Sequence, residues 1–436
     1  MLIEPWLPRA AARRPACVAL EIDGVTTSYA ELLERAEQAA HTLREEGVRP
    51  GTSVGLVLEP GLSFVVTLHA CLLAGGVAVP IDPRLTPAER RVRLNETEVI
   101  VGEGHGAVKR RDSSKPSKFA IFRPSPDDVA LVVHTSGTTG APRPVELTHG
   151  NVQASAMASA AALGLDGEER WLCPLPLAHV GGLMVLLRSA IYASCAVLAP
   201  PPFVAERIAT LLSGDVTVAS LVPTMLKRVL DLSPQRPRKL RTILLGGAPA
   251  DRTLLERAAA AGYPVRQTYG MTETCSQVTV SEPGDLDTAG VALPGVSLSV
   301  EADGGLVVEG DIVAGGGPLV TGDIGRLDER GRLIVLGRRD DLIITGGDNV
   351  APTEVENVLL GHPDVADAAV IARPDREWGE AVTALVVPRA GAETDADGLR
   401  RFCSERLARF KVPKSFETVP ALPRNAAGKL LRRELS

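Results

Sequence analysis

VALVVHTSGTTGAPRPVELTHGN, residues 129–151, joins an apolar run of strand type directly to a loop rich in Ser, Thr and Gly. Backbone amides of such a loop can point together at an anion, and glycine lets the main chain approach a phosphate closely. Ser, Thr and Gly are also ordinary turn residues, so a polar turn is the alternative interpretation. The best-known phosphate loop ends in a lysine and a hydroxyl residue, whereas this stretch has Arg143 and no lysine. We therefore predict a phosphate loop whose cation comes from elsewhere in the chain.

Short apolar runs alternate with helical patterns through the first two thirds of the chain. Residues 30–47 have the apolar spacing of an amphipathic helix, and a glycine closes them. Parallel strands joined by helical crossovers produce such an alternation. The predicted buried strands are residues 53–58, 77–81, 128–136, 195–200, 216–223 and 241–247. This part of the chain is therefore predicted to have an α/β fold.

The pattern changes near Asp323. Residues 306–310 and 331–337 are expected to be short strands of a small antiparallel sheet. A strand, a turn at Gly346–Gly347 and a helix beginning near Pro352 follow, and residues 399–410 are a further predicted helix. These patterns predict a domain boundary near residues 337–341, with a compact α+β unit after it.

Composition excludes several classes of protein. The chain has 436 residues, too many for one ordinary core, so two or three domains are expected. Its 47 basic and 53 acidic side chains give a net charge of −6, which argues against nucleic acid as a main partner. Six scattered cysteines without metal-ligand spacing indicate reduced thiols in a cytoplasmic enzyme. Residues 63–81 approach the length of a membrane span, but His69 and Gly75–Gly76 favour a buried helix, a turn and a strand.

Three further stretches place reactive side chains beside glycines. In QTYGMTETCSQ, residues 267–277, a glycine that suggests a turn precedes Thr272 and Glu273; a carboxylate there could ligate Mg²⁺. Asp323 is expected on a turn, and its carboxylate could accept hydrogen bonds from ribose hydroxyls. Arg338 is expected at the domain boundary, and its guanidinium could bind phosphate. Lys429 lies in a polar C-terminal loop, and by itself it is more simply a solvated surface lysine.

Together these stretches resemble the adenylate-forming superfamily, which includes acyl-CoA synthetases, luciferases and the adenylation domains of peptide synthetases. The resemblance covers nearly the whole chain and rests on TSGTTGAPRPVELTHGN, YGMTE, TGDIGRLDERG, GRRDDLI, TGGDNVAPTEVE and PRNAAGK, in the family's order. It implies a large N-terminal α/β domain of parallel sheets and helices (residues 1–337), a hinge (338–341) and a small mobile α+β lid domain (342–436). The family joins a carboxylic acid to ATP, giving acyl-AMP and pyrophosphate, and a thiol then attacks the adenylate.

The resemblance also implies which residues bind ATP. The loop that holds the β- and γ-phosphates would consist of Thr135, Ser136, Gly137, Thr138, Thr139 and Gly140, with Arg143 beyond it. The residues that pack at the adenine would be Tyr269, Gly270, Gly246, Gly247 and Ala248. Asp323 would take the ribose hydroxyls, and Arg338 would support ribose or phosphate.

A second set of roles concerns the reacting groups and the domain movement. Thr272 would contact the α-phosphate or the acyl oxygen, Glu273 would bind Mg²⁺, and Lys429 would be the catalytic cation that the loop lacks. Asp340 occupies the hinge position. Gly346 and Gly347 form the turn that would face the site when coenzyme A attacks the adenylate.

Two departures from the family pattern stand out. The usual loop continues with Pro-Lys-Gly, whereas Arg143 and Pro144 follow Pro142 here. Arginine keeps the charge but changes its geometry, and proline removes an amide donor, so the grip on phosphate is expected to be weakened or rearranged. The family has a longer connection at the point where residues 304–317 meet residues 318–325. Its shortening here is expected to trim a surface loop.

Residues 171–198 and 265–280 look most like the o-succinylbenzoate–CoA ligases of menaquinone biosynthesis. This resemblance implies an aromatic dicarboxylic acid as substrate, bound by His179, at the head of a Gly-Gly turn, and by Ser276 and Gln277. His179 could instead be a satisfied helix-start histidine. Arg188 could be a carboxylate partner or a solvated helix arginine. The alternatives are a ligase for another aryl or medium-chain acid, an enzyme that loads a carrier-protein thiol, and a nucleotide-binding protein without turnover; a homodimer is a further expectation.

Overall fold

The computed structural model describes residues 3–95, 97–102, 121–136, 142–165, 167–424 and 430–435. The helices are α1 Trp6–Arg13, α2 Tyr29–Glu45, α3 Leu62–Ala74, α4 Pro87–Leu94, α5 His149–Leu163, α6 Val180–Tyr192, α7 Ala205–Ser213, α8 Pro223–Leu230, α9 Arg252–Ala260, α10 Pro352–Leu360 and α11 Ala396–Ser404.

The strands of the large domain are β1 Val18–Ile22, β2 Val25–Ser28, β3 Ser53–Val57, β4 Val77–Pro80, β5 Val99–Gly102, β6 Val129–Ser136, β7 Pro142–Thr148, β8 Arg170–Cys173, β9 Cys195–Leu198, β10 Val218–Leu221, β11 Thr242–Leu245, β12 Val265–Met271, β13 Ser276–Val280, β14 Val291–Ala292, β15 Ser297–Val300, β16 Gly305–Glu309, β17 Leu319–Leu327 and β18 Leu333–Arg338. Those of the small domain are β19 Ile343–Thr345, β20 Asp348–Val350, β21 Val365–Asp375, β22 Gly379–Pro388 and β23 Ser415–Thr418.

Local sequence explains where several helices begin. Ser28 accepts a hydrogen bond from the amide of Glu31, whose side chain accepts one from the Ser28 amide in return, so α2 starts at once after β2. Thr148 and Asn151 form the same reciprocal cap. This cap ends β7 and starts α5 at the next residue.

Three sheets make up the large domain. The nine-stranded sheet has the order β14-β13-β12-β11-β10-β8-β9-β1-β2, and its strands from β12 to β1 pair in parallel. The five-stranded sheet has the order β5-β3-β4-β6-β7, with only β7 antiparallel. An antiparallel sheet, β15-β16-β17-β18, follows. The α/β fold and the six predicted buried strands are therefore confirmed.

The small domain is an α+β unit with its own core. Its sheet has the order β20-β19-β22-β21, with β23 beside β22. Helices α10 and α11 bury Val355, Leu359 and Leu399 in a cluster with apolar side chains of β21 and β22. The predicted helix over residues 399–410 is only partly right, since α11 ends at Ser404 and a 3₁₀ turn, Arg409–Lys411, precedes Pro413.

The apolar stretch at residues 63–81 folds inside the large domain. It forms α3, a left-handed glycine at Gly75 (φ +89°) and β4, as predicted. No helix within the described ranges is both long enough and apolar enough to cross a bilayer. All six cysteines are free, and all except Cys17 are buried.

Candidate active site

Two glycine-containing segments lie at the carboxyl ends of neighbouring parallel strands. Strand β11 continues into Gly246, Gly247 and Ala248, and β12 beside it ends in residues 269–271. Gly247 has φ +80°, and a Cβ on Gly246 would come within 2.8 Å of Cγ2 of Thr268, so the turn lies tightly against β12. Open α/β sheets bind ligands outside the carboxyl ends of their strands. The residues predicted to pack at the adenine are therefore brought together at the expected edge.

Asp323 lies in β17 rather than on a turn, opposite Arg338 of β18. Its two carboxylate oxygens have different partners: Oδ2 accepts from the Tyr269 hydroxyl at 2.7 Å, and Oδ1 lies 2.9 Å from Arg338 Nε. Burial, followed by the charge of Asp323, raises the pKa of Tyr269 above its ordinary range, so the phenol stays protonated and donates. The sequence predicted these three residues separately and missed the bond between Tyr269 and Asp323.

Glu273 sits on a single 3₁₀ turn, Thr272–Thr274. Cys275 (φ +51°) and Ser276 (φ +99°) follow in the left-handed region, which is unusual for residues other than glycine. The Glu273 carbonyl accepts from the Ala314 amide at 2.8 Å, so the shortened connection before Asp323 supports this turn and is more than a trimmed surface loop.

The side chain of Glu273 fits a metal-binding role. It is half-buried, and no described side chain hydrogen-bonds or ion-pairs with its carboxylate. A carboxylate oxygen is a ligand that Mg²⁺ prefers, and Mg²⁺ commonly takes one or two carboxylates together with substrate phosphates and water. The described residues contain no group of three or more metal ligands, so phosphate oxygens and water would complete the coordination.

Gly270 is part of strand β12, and the predicted turn at this position is wrong. A Cβ built on Gly270 would lie 1.6 Å from the carbonyl oxygen of Ser276. Only glycine therefore lets β12 and β13 approach each other here, at an irregularity in their pairing. The close approach brings Ser276 beside the end of β12.

The predicted phosphate loop joins two antiparallel strands, β6 and β7. Thr135 pairs with Arg143 across the hairpin, and its hydroxyl donates to the Arg143 carbonyl at 3.4 Å. Strand β7 is the edge of its sheet and contacts the turn that carries Glu273. An edge strand tolerates proline, which explains how Pro142 and Pro144 are accommodated. The predictions for Gly137, Thr138, Thr139, Gly140 and the side chain of Ser136 lie outside the described residues.

The predicted acid-binding residues have different environments. His179 is the exposed residue before α6, and its side chain makes no cap; the predicted Gly-Gly turn is instead the first turn of that helix. Ser276 is half-buried beside the Glu273 turn. Gln277 is only 3% exposed, and its amide accepts from the Ser159 hydroxyl at 2.8 Å and donates to Thr268 at 3.4 Å. Its side chain is thus committed to the interior, so an acid-binding role for the Gln277 amide is not supported.

Arg188 is not solvated, contrary to one of the two interpretations of the sequence. Its side chain is 2% exposed and Nη2 donates to the Ser155 hydroxyl at 3.0 Å, while Nε has no hydrogen-bond partner among the described residues. Ser155 donates in turn to the Cys275 carbonyl at 2.9 Å. No described carboxylate pairs with Arg188, and burial lowers its pKa. Within the described part of the chain, Arg188 is thus a buried cation without a counter-ion, linked through Ser155 to the residue after the Glu273 turn.

The small domain presents a second set of predicted residues. Asp340 is exposed in a 3₁₀ turn, Arg339–Asp341. Gly346 (φ +59°) and Gly347 (φ +87°) connect β19 to β20. A Cβ on Gly346 would lie 2.8 Å from Cε3 of Trp378, a half-exposed aromatic residue that the sequence reasoning missed. Lys429, the predicted catalytic cation, lies outside the described residues.

Comparison with known proteins gives consistent matches along the chain. A family model described as AMP-binding enzyme matches residues 7–322, and one described as AMP-binding enzyme C-terminal domain matches residues 354–429. The chain is 36% identical to the 2-succinylbenzoate–CoA ligase of Bacillus subtilis strain 168, over 99% of this chain and 97% of that protein.

Solved structures of o-succinylbenzoate CoA synthetase from Bacillus subtilis are similar over the whole chain. The complex with the acyl-adenylate intermediate has a TM-score of 0.92 and 35% identity, covering 100% of this chain and 98% of that one. The complex with ATP and a magnesium ion has a TM-score of 0.91 and 34% identity, with both chains covered completely.

Proposed function

Since the chain belongs to the AMP-binding enzyme family, we propose that it is an ATP-dependent acid–CoA ligase whose acid is o-succinylbenzoate. One observation supports a working site: Tyr269, Asp323 and Arg338 are bonded to one another, and Glu273, on the turn that follows β12, has a carboxylate that no described group neutralises. The relatives supply the acid, because both the related protein and the similar structures bear the name of this substrate.

The proposed reaction has two half-reactions at one site. First, a carboxylate oxygen of the acid attacks the α-phosphorus of ATP, the bond between that phosphorus and the bridging oxygen breaks, and pyrophosphate leaves with the electron pair. The loop between β6 and β7 holds the leaving phosphates, Thr272 and Lys429 stabilise the charge that develops on the α-phosphate, and Asp323 holds the ribose. Mg²⁺ at Glu273 would neutralise phosphate charge when it is bound.

The second half-reaction uses coenzyme A. Its sulfur attacks the acyl carbon of the adenylate, the bond from that carbon to the phosphate oxygen breaks, AMP leaves, and the thiol proton is lost. We propose that the small domain turns about Asp340, which removes Lys429 from the site and brings the turn at Gly346–Gly347 to it. Both glycines have positive φ angles, so this turn tolerates few other residues.

Arg188 supports a dicarboxylic substrate. Only one carboxylate of o-succinylbenzoate reacts, so the other has to be accommodated next to the protein. Arg188 is a buried guanidinium that no described carboxylate neutralises, and Ser155 links it to the main chain immediately before Ser276. With its side chain only 2% exposed, Arg188 would act on a second carboxylate through its charge and without direct contact, whereas benzoate or a fatty acid carries no second carboxylate.

Pyrophosphate release with a panel of acids tests the proposal. The purified protein receives ATP, Mg²⁺ and coenzyme A with o-succinylbenzoate, benzoate, a fatty acid or malonate, and with no acid as the control. We expect thioester formation with o-succinylbenzoate and little with the others. Turnover of a simple aryl or fatty acid alone would contradict the substrate and keep the class, whereas no turnover would favour a nucleotide-binding protein.

Three finer points stay proposals. Replacing coenzyme A by a carrier protein in the same assay separates a CoA ligase from a carrier-loading enzyme. A cytoplasmic location is supported by six free cysteines. The homodimer is an expectation that light scattering on the purified chain would measure.

A further inference from the structure

The residues on either side of positions 425–429 are bonded to each other. Arg424 and Leu430 form an antiparallel bridge, and the Leu431 amide donates to the Pro423 carbonyl at 2.9 Å. Arg424 also pairs with both carboxylate oxygens of Asp367, at 2.8 and 3.0 Å for Nη2. The chain on either side of residues 425–429 is therefore held together and attached to β21.

Arg432, three positions after Lys429, makes the strongest of these attachments. Its Nη1 and Nη2 donate to the two carboxylate oxygens of Glu356 in α10, at 2.7 and 2.8 Å. Nη1 also donates to the Val370 carbonyl at 2.8 Å, and the Val370 amide donates to Glu356 at 2.7 Å. Glu356 is 8% exposed. Bidentate pairs of this kind constrain direction as well as distance, so the C-terminal segment has one defined orientation on α10 and β21.

The same guanidinium reaches the hinge. Nε of Arg432 lies 3.3 Å from Oδ2 of Asp341, the residue directly after Asp340. On the other side of Asp340, Arg339 pairs with Asp303 of the large domain at 2.7 Å. One neighbour of Asp340 is therefore attached to the large domain and the other to the small one. A rotation about Asp340 can leave both attachments intact.

We propose that Arg432 is a positioning residue for adenylation, because it couples residues 430–432, which directly follow Lys429 in the chain, to Asp341 beside the hinge position. The inference rests on the proposed function for the role of Lys429. The buried pair between Arg432 and Glu356 is sufficient to attach the C-terminal residues to α10. The contact with Asp341 is an additional attachment next to the hinge position, Asp340. The direction from which Lys429 enters the site would then be set by the hinge through Arg432.

Two variants test this coupling. Asp341→Asn removes the charge next to the hinge and keeps the buried Arg432–Glu356 pair, so folding should be retained. Arg432→Lys keeps a cation but cannot contact both oxygens of Glu356 and Asp341 together. Each protein is assayed by ATP–pyrophosphate exchange and, separately, by thioester formation from synthetic acyl-adenylate and coenzyme A; thermal unfolding reports on folding.

We expect acyl-adenylate formation to fall about tenfold or more, since misplacing a group by about 1 Å can cost up to about a hundredfold. Thioester formation should stay within about twofold, because Lys429 has left the site in that step. The loss should be in kcat and not in KM for ATP, because the ATP-binding cluster lies in the large domain. Arg406→Gln is the matched control: this arginine of the small domain pairs with exposed Glu405 at 2.9 Å and should change neither step.

Equal losses in both steps, or no loss in either, in folded Asp341→Asn and Arg432→Lys proteins would overturn the coupling. An error in the proposed acid can be told apart from an error in the coupling, because the wild type would then not adenylate o-succinylbenzoate. In that case the variants and the wild type are compared on the acid of the panel that the wild type does adenylate. Wild-type protein that adenylates no acid would remove the premise and overturn the inference as well.

Discussion

Asp323 illustrates how individual residues define this site. Its carboxylate is oriented by two donors, the Tyr269 hydroxyl and the Arg338 guanidinium, which come from separate sheets. A carboxylate held in this way would present a fixed set of lone pairs to ribose hydroxyls, as its proposed role requires, which a freely rotating side chain would not. The contribution of each donor can therefore be measured through ATP binding.

We predict that Tyr269→Phe raises the KM for ATP about tenfold, since a hydrogen bond to a charged group is worth about 1.5 kcal/mol. The ring stays in place, so kcat should change less. Pyrophosphate release at varied ATP concentration measures both. Tyr263→Phe is the control, because the Tyr263 hydroxyl is buried without a hydrogen-bond partner among the described residues. Equal KM values in wild type and Tyr269→Phe would show that Arg338 alone orients Asp323.

At the scale of elements, the contact between β12 and β13 depends on one missing side chain. We predict that Gly270→Ala abolishes adenylation and lowers the free energy of unfolding by several kcal/mol, because its Cβ would lie 1.6 Å from the Ser276 carbonyl oxygen. Denaturant unfolding and pyrophosphate release measure the two effects. Gly61→Ala is the control, with an extended φ of 173° and its nearest atom 3.9 Å away. A stable, active Gly270→Ala protein would contradict this packing.

Helices α1, α3 and α5 meet around a small cavity that Trp6, His69 and His149 line. Burial lowers the pKa of His69 and of His149 to about 4. A folded-state pKa below the unfolded value of about 6.5 means that protons bind preferentially to the unfolded chain. The stability present above about pH 6.5 is therefore lost as the pH falls towards 4.

We predict that the free energy of unfolding falls between about pH 6.5 and 4, by up to about 3 kcal/mol for each buried histidine. His69→Met removes one of these groups and should reduce the slope. Urea unfolding of both proteins at several pH values measures it. Identical slopes would show that His69 takes up no proton on unfolding in this range.

At the scale of the whole molecule, the proposed function requires two orientations of the small domain. We predict that Lys429→Ala lowers acyl-adenylate formation roughly 10²–10³-fold, the usual cost of losing one preorganised donor, and spares thioester formation from supplied acyl-adenylate. Gly347→Leu should show the opposite pattern, because the left-handed backbone at Gly347 (φ +87°) disfavours a branched side chain. Equal loss of both steps in Lys429→Ala would contradict the rotation of the domain.

The sequence by itself determined the family, the α/β fold and most of the candidate residues, because motif spacing, apolar periodicity and helix caps are local properties of the chain. The turns predicted at Asp323 and Gly270 are wrong. Glycine is a common turn residue, but in these strands it permits close packing instead. The Pro-Arg-Pro stretch was seen as a departure, and its position on an edge strand explains why it is tolerated.

Only the tertiary structure decided what each polar side chain is paired with. Tyr269 is 54 residues from Asp323 and Ser159 is 118 residues from Gln277 along the chain, and no local pattern specifies such pairs. The sequence leaves Arg188 open between a carboxylate partner and a solvated helix arginine, whereas packing of α6 buries it, with no counter-ion among the described residues. The residues on either side of Asp340 are likewise joined by ion pairs to positions far along the chain, Arg339 to Asp303 and Asp341 to Arg432. Burial and charge pairing depend on the whole arrangement of sheets and helices, because desolvation and Coulomb energy follow distance in space and not separation along the chain.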